Sequence, residues 1–188
     1  MNKYIELTII QSAELPSHVV MSAVFEQIHQ SLVAMKTNRV GLSFPAATNT
    51  HIGNKIRLHG VETELTGLMS LGRLDQFDGY LEKTDLLTVP VDTKFRIIRR
   101  KRIQTRVSPS QIKRYMKRHN VSEIEAKEFF GNKEMQVSGR FPYLTVQSQS
   151  SGGLLFNLCI DQGTETSEPL PGEFNAYGLS STATVPWF

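Results

Sequence analysis

His29 is the side chain in this sequence best suited to moving a proton near neutral pH. Imidazole titrates at roughly 6.5 in water, so a positioned histidine can take a proton from a hydroxyl such as an RNA 2′-hydroxyl. His29 follows Ile28 on an apolar-periodic stretch and so sits about 100° round the helix from it. Position alone leaves two roles open, and a helix-flank histidine is more often structural than catalytic. A second candidate is the hydroxyl cluster Gln147-Ser148-Gln149-Ser150-Ser151-Gly152-Gly153. Strand alternation puts Ser148 and Ser150 on one face. Hydroxyls and backbone N–H groups at a glycine-bearing turn can hold phosphate or ribose oxygens, and they can equally form a plain polar turn. His51 and His59 have no cysteine or carboxylate at ligand spacing, which argues against zinc. The sequence carries no GxSxG elbow, no P-loop, no dinucleotide fingerprint and no paired-carboxylate constellation.

The strongest charge signal is Lys94 to Arg118. It contains eleven of the 21 Lys and Arg residues and no Asp or Glu, while the remainder of the chain is acidic. A net charge of only +3 therefore conceals a dipolar molecule with one cationic arm. Such an arm is the footprint of a polyanion site, because a merely solubilising face mixes signs. Within it, Lys113 and Lys117 are four residues apart, as are Arg114 and Arg118. On a helix they form one broad cationic stripe, with Ile112, Tyr115 and Met116 mainly on other faces. His119 closes that helix, where it suits phosphate or the helix C-terminus.

These residues need a scaffold. Tyr4 to Ile10 alternates apolar and polar and predicts a half-buried strand. Leu15-Pro16-Ser17 opens a helix whose buried face is Val20, Ala23, Val24, Ile28, Leu32 and Met35, ending near Thr37-Asn38. Val40 to Phe44 and Lys55 to His59 predict strands, Val61 to Leu71 an amphipathic helix, and Leu86 to Val91 an extended segment. Strand, helix, strand, strand, helix, strand is the ferredoxin-like βαββαβ order, an architecture that many RNA-binding modules use but that hosts unrelated functions too. Phe95 to Val107 is β-compatible. Ser108-Pro109-Ser110-Gln111 reads as a capped helix start, and Ser122 to Glu125 as a second capping box whose helix ends at Gly131. Tyr143 to Gln147 and Leu154 to Ile160 predict a hairpin. The fold class is α+β: a ferredoxin-like domain over 1–94, then a C-terminal domain over 95–188 with an arginine-rich helix and a β-hairpin.

The 39% hydrophobic fraction supports a real core, and no apolar run is long enough to span a membrane. The lone Cys159 sits in an apolar run and fits a buried thiol in a reducing cytoplasm. The residues by themselves lead to an RNA or DNA binder with a basic helix and a metal-free, cofactor-free candidate site. A non-catalytic RNA-hairpin-binding assembly module explains the basic arm equally well. A DNA-binding regulator fits less well, because no helix precedes Ser108 to His119 in helix-turn-helix fashion.

Met21-Ser22, Phe25, His29-Gln30 and Arg39-Val40-Gly41-Leu42-Ser43-Phe44-Pro45 resemble the CRISPR repeat-RNA endoribonucleases of the I-F subtype. So do Arg102-Ile103-Gln104, the basic helix ending Arg118-His119, Ser148-Gln149-Ser150, Tyr177-Gly178-Leu179-Ser180 and the final Val-Pro-Trp-Phe. The resemblance runs from the first strand to the last residue. It implies metal-independent cleavage of precursor CRISPR RNA at the 3′ base of the repeat hairpin, by 2′-hydroxyl attack giving a 2′,3′-cyclic phosphate and a 5′-hydroxyl. It implies that His29 is the general base, that Ser148 holds the attacking ribose, and that Ser150 and Tyr177 support the site. By the same resemblance Arg102 and Gln104 read purines at the hairpin base, Phe156 stacks on the terminal base pair, and Arg114 and Arg118 lie along the groove. The implied partners are the repeat hairpin RNA, which stays bound as crRNA, and other subunits of the type I-F surveillance complex.

Overall fold

The computed structural model describes residues 1–103, 107–138, 141–147 and 152–188, with the backbone alone for 132–138. Gln104, Ser148, Ser150 and Ser151 lie outside the described residues. The protein is α+β; among the described residues it has four α-helices and antiparallel sheets.

The first half builds one sheet. β1 (Lys3–Ile9) alternates as expected, with Ile5, Leu7 and Ile9 buried. β2 (Gly41–Ser43), β3 (Lys55–Gly60), β4 (Leu81–Lys83) and the two-residue β5 (Leu87–Thr88) complete it. The strand order is β2-β3-β1-β4, every pairing is antiparallel, and β5 also pairs with β1. α1 (Ser17–Met35) connects β1 to β2, and α2 (Glu62–Ser70) connects β3 to β4. Leu86 to Val91 supplies only β5. β1 also pairs with Leu81–Lys83, where an exposed Glu82 and a half-buried Lys83 mask the strand signal.

α1 buries a wider face than one apolar stripe. Met21 and Phe25 are fully buried beside Val20, Val24, Ile28, Ser31 and Leu32, whereas Ala23 is exposed and Met35 half-buried. The cause is that α1 is covered more than once. It contacts β1 and α2 from the first half and also β8 (Tyr143–Gln147) from the second.

The second half departs from expectation at two points. Phe95 to Val107 is not one strand. β6 (Lys94–Arg96) lies between β10 (Glu165–Thr166) and β11 (Val185–Trp187), while β7 (Arg99–Lys101) pairs with β9 (Leu155–Asp161) in another sheet. The chain changes sheet at Ile97-Ile98, where Ile98 is buried and its carbonyl accepts from Ser180 N–H. α4 (Glu123–Ser138) runs past Gly131, which stands in the helix and does not end it. One glycine costs a helix only about 1 kcal/mol, too little to stop it. The predicted hairpin forms as β8 and β9, with Val146 opposite Phe156.

α3 (Pro109–His119) carries the predicted cap in full. Ser108 Oγ accepts from Gln111 N–H, and Gln111 Oε1 accepts from Ser108 N–H. Ser122 and Glu125 form the equivalent box for α4. Leu144, Val146, Leu158, Ile160, Phe174 and Val185 belong to the same buried cluster as the α1 and β1 side chains. No helix among the described residues is long and apolar enough to cross a membrane.

Candidate active site and nucleic-acid interface

His29 projects half-buried from the fourth turn of α1 and meets residues near the other end of the chain. Its Nδ1 lies 2.7 Å from the carbonyl oxygen of Ala176. A carbonyl can only accept, so in the neutral ring Nδ1 carries the proton and Nε2 keeps its lone pair. Among the described residues Nε2 has no hydrogen-bond partner. The Tyr177 ring stacks on the imidazole at 4.1 Å between centroids and 17° between planes. Phe25, one helical turn before His29, lies parallel to Tyr177 at 6.0 Å and 1°. A ring face, a backbone acceptor and the helix together fix the imidazole and leave one basic nitrogen open.

The loop that supplies these contacts is tightly bonded. Asn175 Oδ1 accepts from the N–H groups of Tyr177 at 2.8 Å and Leu179 at 3.2 Å. Asn175 N–H donates to Leu179 O, and Gly178 N–H to Asn175 O. Gly178 takes φ +68°, and its carbonyl accepts from Leu42 N–H on β2. A Cβ at Gly178 would come within 2.5 Å of Leu42 Cγ. This glycine therefore meets both a left-handed backbone and a close approach.

Sequence reading singled out His29 and Tyr177, and the structure brings them together. It missed Ala176 and Asn175, and it quoted Phe25 for the resemblance without giving it a role at the site. The Ala176 contact is made by a backbone carbonyl, which leaves no trace in the identity of the residue. The role of Phe25 could have been found, because that residue is i−4 to His29 on the same helical face. Thr145 N–H on β8 donates to Ser22 Oγ on α1, so the strand leading toward residue 148 crosses the helix that carries His29.

Three other histidines separate cleanly. His59 is fully buried, its Nε2 is 2.8 Å from Ser43 Oγ, and its Nδ1 has no partner. Burial, with Arg57 beside it, pushes it down to about 3. It is a neutral core residue. His51 is exposed. His119 tilts against Tyr115 at 4.4 Å. Among the described residues no group of three His, Cys, Asp or Glu side chains converges as a metal site would require.

The cationic arm resolves into two populations. Lys94 and Arg96 pair with Glu165 at 2.9 and 2.8 Å, and Arg99 pairs with Asp161 at 2.8 Å. Arg96 also lies over the Trp187 ring at 4.3 Å. Arg100 covers Phe156 at 5.0 Å, which leaves that ring half-buried. These cations serve the sheets. Arg102, Lys113, Arg114, Lys117 and Arg118 are exposed and form no ion pair among the described residues. The opposite face of α3 is anchored to α4 by Tyr115, which stacks on Phe129 at 4.5 Å and meets Phe130 edge-on at 5.2 Å. The helix thus presents its cations outward on an aromatic base.

A held imidazole with one open nitrogen and a row of exposed cations are what this α+β protein offers as candidate site features. Comparison with known proteins narrows the class. The family model described as "CRISPR-associated protein (Cas_Csy4)" matches residues 4–188. A relative from Escherichia coli (strain UTI89 / UPEC), named CRISPR-associated endonuclease Cas6/Csy4, is 32% identical over 189 residues, 100% of both chains. A relative of the same name from Pseudomonas aeruginosa (strain UCBPP-PA14) is 31% identical over 191 residues, again 100% of both. The chain belongs to the Cas_Csy4 family of CRISPR-associated proteins. A solved chain described as "Structure A of CRISPR endoribonuclease Cse3 bound to 19 nt RNA" overlaps 99% of this chain and 100% of its own. Its identity is 11% and its TM-score 0.35, too loose an overlap to carry topology or chemistry.

Proposed function

We propose that this protein is a metal-independent, sequence- and structure-specific endoribonuclease that cuts precursor CRISPR RNA at the 3′ base of each repeat hairpin. The observation that carries the reading is the 2.7 Å contact from His29 Nδ1 to Ala176 O, which leaves Nε2 as an open base. Nε2 takes the proton of the ribose 2′-hydroxyl upstream of the cut. The 2′-oxygen bonds to the adjacent phosphorus as the P–O5′ bond breaks, and the departing 5′-oxygen takes up a proton. The products are a 2′,3′-cyclic phosphate and a 5′-hydroxyl. Tyr177 holds the imidazole plane; its stacking on His29 supports that role. Ser148 holds the attacking ribose, and Ser150 supports it.

Recognition belongs to the exposed cations. Arg102 and Gln104 read purine edges at the base of the hairpin, where the groove is open, while Lys113, Arg114, Lys117, Arg118 and His119 track the phosphates. Phe156 stacks on the terminal base pair. The division of labour follows the chain. Residues 1–94, whose β2-β3-β1-β4 order supports a ferredoxin-like domain, carry the base. Residues 95–188 carry the RNA contacts. The hairpin product stays bound, and the protein joins other subunits of the crRNA-guided surveillance complex.

The test is incubation of repeat-hairpin RNA in EDTA. Cleavage proceeds at the rate seen with magnesium and leaves a cyclic phosphate; dependence on added metal would sink the mechanism. His29→Ala binds the hairpin within about twofold of wild type and loses at least about 100-fold in single-turnover rate. If that variant loses binding as well, His29 serves the fold. Wild-type binding without cleavage would favour the assembly-module reading.

A further inference from the structure

We infer that Asn175 is the positioning residue that sets the tautomer of His29. The Ala176 carbonyl and the Tyr177 N–H belong to one peptide unit, which is planar and moves as a body. One edge of that plane receives the His29 Nδ1–H at 2.7 Å. The opposite edge is tied to Asn175 Oδ1 at 2.8 Å. The same carboxamide oxygen holds Leu179 N–H at 3.2 Å, and Gly178 N–H closes onto the Asn175 carbonyl at 2.8 Å. Asn175 therefore bonds the peptide from the side away from the imidazole and fixes its rotation.

That rotation decides the chemistry. With the carbonyl toward His29, Nδ1 must donate, and Nε2 is left with its lone pair. If the plane turns over, an N–H faces the ring in place of a C=O. Nδ1 must then accept, the proton moves to Nε2, and the neutral ring has no open base on its outer side. Asn175 touches neither His29 nor, in the proposed reaction, the RNA. It acts through a peptide bond.

The inference rests on the reading of His29 as the general base, and two readouts keep the two claims apart. The first is the nitrogen NMR spectrum of the protein labelled with 15N-histidine, which reports the tautomer without any RNA. Wild type shows His29 protonated at Nδ1 and bare at Nε2. Asn175→Ala moves the population toward the Nε2–H form, and Asn175→Thr, whose hydroxyl can make the same turn, restores it. The second is single-turnover cleavage. Asn175→Ala slows it by about tenfold or more with RNA affinity within twofold, and Asn175→Thr recovers most of the rate. An Nε2–H tautomer in wild type overturns the inference, as does an unchanged Nδ1–H signal in Asn175→Ala. So does equal loss of rate in the alanine and threonine variants. If wild type cuts no RNA while the tautomer responds to Asn175 as described, the proposed function falls and the positioning role stands.

Discussion

Two histidines of this chain show how surroundings assign roles to the same side chain. His29 keeps one nitrogen outward, whereas His59 is sealed beneath Tyr4 and Phe188 with a hydrogen bond to Ser43. Burial, with Arg57 nearby, lowers His59 to about 3 from 6.5. Between those values the unfolded chain binds a proton that the folded chain refuses. The stability contribution is therefore complete above pH 6.5 and is lost as pH falls toward 3. From pH 6 to 5 the wild type should lose about 1 kcal/mol of unfolding free energy to this group alone. The ion-paired carboxylates Glu6, Asp161 and Glu165 are all held below their usual values, so their own loss begins only at lower pH. Urea unfolding at several pH values checks this: His59→Gln should flatten that interval, and an unchanged slope would put the acid sensitivity elsewhere. At this scale the sequence was half legible. The value of His29 as a candidate could be read from its residue type and its place on α1. Nothing in the sequence shows that a backbone carbonyl 147 positions away selects the proton-bearing nitrogen of His29.

Among the elements, the basic arm changes most between sequence and structure. Its charges look uniform along the chain because their neutralising partners, Asp161 and Glu165, lie more than sixty residues downstream. Sheet pairing brings those carboxylates to β6 and β7 but not to α3. Three alanine variants separate the consequences. Lys117→Ala should weaken binding of all RNAs and reduce the salt slope by about one. Arg102→Ala should cost about 1–3 kcal/mol for the cognate hairpin and little for others. Arg96→Ala should instead lower stability by about 1–2 kcal/mol, through the lost Trp187 and Glu165 contacts, and leave the salt slope alone. Filter binding across a salt series, with thermal unfolding beside it, distinguishes them; a common phenotype would erase the division. α3 itself was fully readable, because its capping box and its i, i+4 cations are local. α1 was partly readable. A single-stripe reading presumes one packing partner, and contact with β8 as well buries Met21 and Phe25.

For the whole molecule, the decisive feature is the return of the last residues to the first sheet. Phe174 and Val185 pack so closely on Gly41 that a Cβ there would lie within 2.8 Å of both side chains. Arg57 donates to the Phe188 carbonyl and lies over its ring, and Gly178 seats on Leu42. Gly178→Ala should therefore cost about 2 kcal/mol or more, from the left-handed backbone and the collision with Leu42 together. It should also slow cleavage by displacing Tyr177 from His29. Thermal unfolding and single-turnover assays on one preparation test both, and wild-type values in each would show that the loop tolerates the methyl group. The sequence hinted at this docking through the terminal Trp-Phe but not at what it positions, since long-range packing leaves no periodic signal.

The span of the His29–Ala176 contact also orders events in time. Chains emerge from the ribosome N-terminus first, and early segments fold before late ones. The helix bearing His29 and the cationic face of α3 both precede the loop that supplies the carbonyl and the Tyr177 ring. In the proposed reading, the base and the cations are made before the contacts that hold the base in place. Cleavage then waits until the loop bearing Ala176 and Tyr177 has been made and has docked on that helix.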